Sequence, residues 1–225
     1  MGAIIRWSRS PVALLLASIV ATEAGAADGP VAARLQGYVD RGQLAGAVTA
    51  VASRDAIKSV EAIGARDIGA KSAMSENSVF WIASMSKPMT ATALMMLVDE
   101  GKLRLDDPVE RYLPEFHGQM VLKEKLPDGV VLKKPDHPIT VRELLSHTSG
   151  LVGRSPLEHE LDTLSLREGV ITYALSPLQF EPGTRYEYCN PGINTAGRLI
   201  EVASGVRYEE FMERRLFGPL GMVDT

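Results

Sequence analysis

The run Ser84-Met85-Ser86-Lys87-Pro88-Met89-Thr90-Ala91-Thr92-Ala93-Leu94-Met95-Met96-Leu97-Val98-Asp99-Glu100 decides how the chain is organised. Met85, Met89, Leu94, Met96, Leu97 and Val98 fall at helical spacings, and Gly101 follows as a C-terminal stop. The segment is apolar nearly all round, which predicts a helix in the core rather than on the surface. Its first turn carries Ser84 and, three residues on, Lys87, the only serine in the chain followed at that distance by lysine. At a helix start this spacing places hydroxyl and ammonium on one face, where unpaired backbone N–H groups favour negative charge on oxygen. A lysine partly buried beneath Trp81, Ile82, Met85 and Met89 would have its pKa lowered and could accept the serine proton. Taken alone, the tetrapeptide is weak evidence and reads more readily as an N-cap serine with a surface lysine.

A second element is Tyr188-Cys189-Asn190, between the turn Glu181-Pro182-Gly183-Thr184 and a helix beginning near Ile193. In an extended segment, residues two apart point to the same side, so phenol and carboxamide would face one cleft. The phenol can relay a proton and the amide can hold a substrate carbonyl; the alternative is a core tyrosine beside a capping asparagine.

Working outward, residues 44–68 alternate short apolar runs with turn residues and predict a β-hairpin whose Ala-rich first strand is covered on both faces. Leu105-Asp106-Asp107-Pro108 predicts an acidic cap and a proline-led helix to about Tyr112. Val130-Val131-Leu132 after Asp128-Gly129 predicts an exposed hairpin. Thr140-Val141-Arg142-Glu143 is a capping box for a short helix ending near His147. Two more helices are expected over 193–204 and 208–217, stopped by Gly205 and by Gly218-Pro219. A hairpin followed mainly by helices gives an α+β fold class with a sheet short of strands.

The composition is that of a globular protein: 225 residues, 45% hydrophobic and 23% charged, with a formal net charge of -4. A pI near 5.6 and the lack of a Lys/Arg block argue against a nucleic-acid partner. One cysteine, Cys189, leaves no internal disulfide and no cysteine-based zinc site, and His117, His137 and His159 have no metal-ligand spacing. Cys189 is expected to be buried and pointing away from the cleft rather than reactive. His147 invites a Ser-His-Asp reading with Ser84, but Lys87 and Tyr188 already fill the proton-transfer roles, and the histidine suits a helix C-terminus better. Residues 1–26, with Arg6 and Arg9, the run 12–20 and Ala24-Gly25-Ala26, have the layout of a cleaved secretory signal too short for a membrane span. Residues 27–225 are therefore expected to form a periplasmic or secreted domain with no stable membrane span.

The chain resembles the serine β-lactamase-like hydrolases, which include class C β-lactamases, low-molecular-weight penicillin-binding proteins and related esterases. The matching stretches, in that family's order, are residues 80–87, 101–109, 139–151, 182–190 and 218–222. The resemblance implies a β-lactamase/transpeptidase-like fold, a helical region packed on an antiparallel sheet. It makes Ser84 the acylated nucleophile, Lys87 its proton partner, Tyr188 the general base and acid, and Asn190 a substrate-positioning residue. It implies acyl transfer through a covalent acyl-enzyme on a small-molecule or peptide substrate (β-lactam, D-amino-acid peptide or ester), with no metal and no cofactor. The family's third element, Lys-Thr-Gly or His-x-Gly on a later strand, has no counterpart, since residues 191–225 contain neither Lys nor His. The expectation is the front part of a larger catalytic domain, its sheet incomplete. Loss of one oxyanion donor costs about 10²–10³ in rate, so residues 27–225 alone are expected to be a poor enzyme or a non-catalytic binding module.

Overall fold

The computed structural model describes residues 29–153 and 164–225; the segment 1–26 expected to be a signal and His159 lie outside them. Two compact units divide the chain, Met1–Phe80 and Trp81–Thr225.

In the first unit, helix α1 (Pro30–Asp40) opens on a proline whose missing N–H costs nothing at that position. It has no side-chain cap of its own. Glu61 of the neighbouring strand supplies one, its buried Oε2 accepting the Ala32 N–H at 2.9 Å. Strands β1 (Gly46–Ala52), β2 (Ile57–Asp67) and the two-residue β3 (Ser72–Ala73) form an antiparallel sheet in that order. Gly46 pairs with Gly64, which has φ 71°, and a Cβ on Gly64 would stand 2.4 Å from the Ala45 carbonyl oxygen. The expected coverage of β1 on both faces is not found. None of its residues is buried, and Val51 is 43% exposed. Among the described residues its only strand partner is β2.

The second unit is mainly helical. A 3-10 turn (Ala83–Met85) leads into α2 (Ser86–Asp99), whose Thr90, Ala93, Leu94 and Leu97 are buried at the i, i+3, i+4, i+7 positions of one face. The helix is therefore one-sided, not apolar all round in use: Ser86, Pro88, Thr92 and Asp99 are exposed, while Met89 and Met96 lie against the core. Gly101 ends it at φ 71°, as its position in the sequence predicts. The expected helix up to Tyr112 is only a 3-10 turn (Val109–Arg111). Pro108 is extended, and Asp107 binds the Arg104 N–H, Arg111 and the Tyr112 hydroxyl in place of capping a helix.

Strands β4 (Val121–Leu126) and β5 (Gly129–Lys133) form the exposed hairpin. Helix α3 (Val141–Leu145) starts with the reciprocal Thr140/Glu143 capping box. Helix α4 (Leu166–Leu175) starts with a second one, Ser165/Glu168, whose sequence signal is equally explicit. Helix α5 (Asn190–Ser204) begins three residues earlier than its apolar pattern suggests, because Pro191 fits the first turn. Helix α6 (Tyr208–Phe211) continues as a π-helical turn (Met212–Phe217). Leu94, Leu97, Leu144, Tyr173, Leu199, Ile200 and Phe211 form the centre of the core of this unit.

Two close approaches govern the region around Tyr188. Gly192 of α5 lies so near α3 that a Cβ there would be 2.8 Å from the Leu144 carbonyl oxygen. Gly150, at φ 79°, leaves only 2.4 Å between such a Cβ and the Phe180 carbonyl oxygen.

Candidate active site

Ser84 lies in the 3-10 turn that opens α2, exposed, directly after Ala83 at φ 44°. A left-handed alanine costs about 1–2 kcal/mol. Strain of this kind next to a reactive group commonly marks a site. Lys87, one turn on, donates from Nζ to Ser84 Oγ at 3.1 Å. Tyr188, from the extended segment before α5, donates from its hydroxyl to the same Oγ at 2.8 Å. Two groups able to take or give a proton thus converge on one hydroxyl from 104 residues apart and from one helical turn away.

Lys87 is half-buried as expected, but Trp81 and Met85 do not roof it; they are 88% and 68% exposed. Its cover is the face of Tyr188, whose ring centroid lies 4.8 Å from Nζ. The effect on the phenol is direct. Hydrogen bonding to Lys87, then to Ser84, with the ammonium charge adding to both, holds the Tyr188 pKa below 10.0. Tyr208, the other tyrosine near Ser84, is pushed the opposite way by burial and shares a 2.7 Å hydrogen bond with Thr90. The contrast makes Tyr188 the phenol of the two that ionises more readily.

Asn190, the first residue of α5, lines the same cavity of about 350 Å³ as Ser84 and Lys87. Trp81, Leu166, Ile193 and Tyr208 give that cavity an apolar wall, with Asn194 a second amide. Ser84, Lys87, Tyr188 and Asn190, inferred from sequence, are therefore neighbours. A second cavity, about 300 Å³ and lined by His117, Lys134, His137 and Leu178 among others, holds none of them. Cys189 is buried, and burial raises its thiol pKa, so it behaves as packing. Among the described residues no cluster of His, Cys, Asp and Glu is arranged to hold a metal ion, and no helix is long and apolar enough to cross a membrane.

Sequence reasoning missed Thr90, Tyr208, Leu166 and Asn194, which lack a short motif and reach the site only through helix packing. His147 stands just past the C-terminus of α3, where the sequence reading put it. That residue makes no Ser-His-Asp triad: its Nδ1 faces the Cys189 amide at 3.3 Å, and its ring lies 4.7 Å from that of Tyr188.

A serine at a helix start, a lysine one turn later and a tyrosine from a distant segment, set in an α+β chain, define a β-lactamase/transpeptidase-like fold. The chain belongs to the Beta-lactamase family, whose profile matches residues 31–225. It is 37% identical to Protein Rv1367c of Mycobacterium tuberculosis (strain ATCC 25618 / H37Rv) over 86% of this chain and 50% of that one. It is 34% identical to Esterase EstB of Burkholderia gladioli, over 86% of this chain and 51% of that one. Among solved structures, EstCE1, described as a hydrolase with promiscuous acyltransferase activity, superposes with a TM-score of 0.70. The match has 30% identity and covers 85% of this chain and 51% of that one. The chain thus spans about half the length of these relatives.

Proposed function

We propose that this chain carries the reactive serine of an exported serine hydrolase that cleaves an ester or amide through a covalent acyl-enzyme on Ser84. The observation behind the proposal is the convergence of Lys87 Nζ and Tyr188 Oη on Ser84 Oγ, at 3.1 and 2.8 Å. In the acylation step Tyr188, held toward phenolate by Lys87, takes the Ser84 proton as Oγ bonds to the substrate carbonyl carbon. The bond to the leaving alcohol or amine then breaks, and Tyr188 returns the proton to it. Water attacks the acyl-enzyme, its proton again passing to Tyr188, and Ser84 is regenerated. The Ser84 backbone N–H serves as one oxyanion donor, and Asn190 orients the substrate carbonyl.

The wall of Trp81, Leu166, Ile193 and Tyr208 favours an uncharged, apolar acyl group. EstB and EstCE1, an esterase and a hydrolase with acyltransferase activity by name, lean the same way, toward an ester over a β-lactam or a D-amino-acid peptide. The test is covalent labelling. The purified protein is incubated with a fluorophosphonate and with a fluorescent penicillin, and intact mass and peptide mapping locate the adduct. An adduct on Ser84, absent from Ser84→Ala, is the expected result. Reversible binding without an adduct from either probe would make the chain a non-catalytic binding module and overturn the proposal.

A further inference from the structure

His147 follows α3 and occupies the left-handed region at φ 57°, a conformation unfavourable for a residue with a Cβ. That backbone turn directs three contacts onto the segment bearing Tyr188. The His147 carbonyl accepts the Glu187 N–H at 2.8 Å. Its Nδ1 accepts the Cys189 N–H at 3.3 Å. Its ring lies 4.7 Å from the Tyr188 ring and 5.8 Å, edge-on, from that of Tyr186. The residues on either side of Tyr188 are therefore hydrogen-bonded to one histidine, which also covers a face of the phenol ring.

We propose that His147 is a positioning residue for the acyl-transfer site: its unprotonated Nδ1 and its carbonyl clamp residues 187–189, hold the Tyr188 phenol on Ser84, and release that hold when the imidazole is protonated. The inference rests on the function proposed above for Ser84 and Tyr188. An amide N–H can be accepted only by a ring nitrogen without a proton, so the clamped state requires the neutral ring with its hydrogen on Nε2. The groups facing the ring are Lys87 from α2 and Tyr186, Tyr188 and Cys189 from the clamped segment, while the Glu187 carboxylate turns to Arg185. On its own side are the Ser146 and Thr148 hydroxyls, which bond to each other, and Glu143, whose carboxylate is turned to Thr140 and His137. Burial, and after it the Lys87 charge, keeps the imidazole pKa below 6.5, so the ring is neutral at pH 7 and the clamp is closed. Acidification through that lowered value charges the ring, turns an N–H toward the Cys189 N–H, and opens it.

The informative substitution is His147→Asn. Asparagine tolerates the left-handed backbone, offers a carbonyl oxygen to the Cys189 N–H, and does not titrate. Two measurements are made on wild type, His147→Asn and His147→Ala. Nitrogen-15 NMR gives the His147 tautomer and follows the Cys189 amide with pH; the expected result is an Nε2–H tautomer and a Cys189 amide that moves with the His147 titration. The rate of Ser84 labelling by fluorophosphonate is then taken from pH 8 to pH 5. Relative to His147→Asn, which shares the decline set by Tyr188 ionisation, wild type should lose a further factor of about five to ten as His147 protonates, the effect of one hydrogen bond. His147→Asn should keep the neutral-pH rate and lack that step, and His147→Ala should be slow throughout. An Nδ1–H tautomer, a Cys189 amide indifferent to the titration, or an unchanged acid step in His147→Asn would overturn the inference. If Ser84 is not labelled at any pH, the functional proposal fails, while the NMR result still decides whether the clamp exists.

Discussion

Replacing Tyr188 with phenylalanine removes one oxygen atom and little else. The ring keeps its contacts with His147 and the Lys87 ammonium, and the side chain is half exposed, so the fold should hold with a melting temperature within about 2 °C of wild type. What disappears is the 2.8 Å hydrogen bond to Ser84 and the only nearby phenol whose pKa is lowered. Removing a positioned acid-base group slows such a step by about 10²–10⁴. The pH profile should change as well. A phenol acting as base must be ionised, and Lys87 places its pKa below 10.0, so wild-type labelling should rise with pH and level off below that value. The phenylalanine variant should lack the rise. The assay is the second-order rate of fluorophosphonate labelling at Ser84 between pH 6 and pH 10, alongside circular dichroism. A folded Tyr188→Phe protein labelled within about threefold of wild type, with the same rise, would refute Tyr188 as the base.

Two further substitutions test the frame that holds the site. Thr140→Ala removes the cap of α3 and one half of its capping box, and should cost about 1 kcal/mol, read as a melting temperature lower by about 2–4 °C. Gly192→Ala places a methyl 2.8 Å from the Leu144 carbonyl, against backbone that cannot rotate away. It should destabilise by about 1–3 kcal/mol in thermal melts and also slow Ser84 labelling, because Tyr188 lies just ahead of the shifted helix.

The grouping of Ser84, Lys87, Tyr188 and Asn190 was legible through two short motifs, each weak alone, that the family resemblance joined. Ser84 and Lys87 need one helical turn, and Tyr188 and Asn190 need one extended residue between them. The stops at Gly101 and Gly205 and the Thr140 capping box were legible for the same local reason. Helices α1 and α4 went unread. The cap of α1 comes from Glu61, distant in sequence, whereas the Ser165/Glu168 box of α4 was a local signal passed over. The helix expected after Pro108 failed because Asp107 had stronger partners in Tyr112, Arg104 and Arg111 than a helix N-terminus. His147 stands at a helix C-terminus as read, but its contacts with residues 187–189 depend on a left-handed backbone turn, which no single-residue preference announces.

The 2.8 Å approach of Gly192 to Leu144 also has a mechanical meaning. With no side chain between them, α3 and the start of α5 meet backbone to backbone, and His147, Tyr188 and Asn190 all lie within a few residues of that contact. Lys87 lies on α2 and Ser84 in the turn that opens it, and α2 packs against α5 through the core. The distance between Ser84 and Tyr188 is therefore set by how α2 and α5 pack. Buried side chains on α2 and α5 can retune it without altering any residue that meets the substrate.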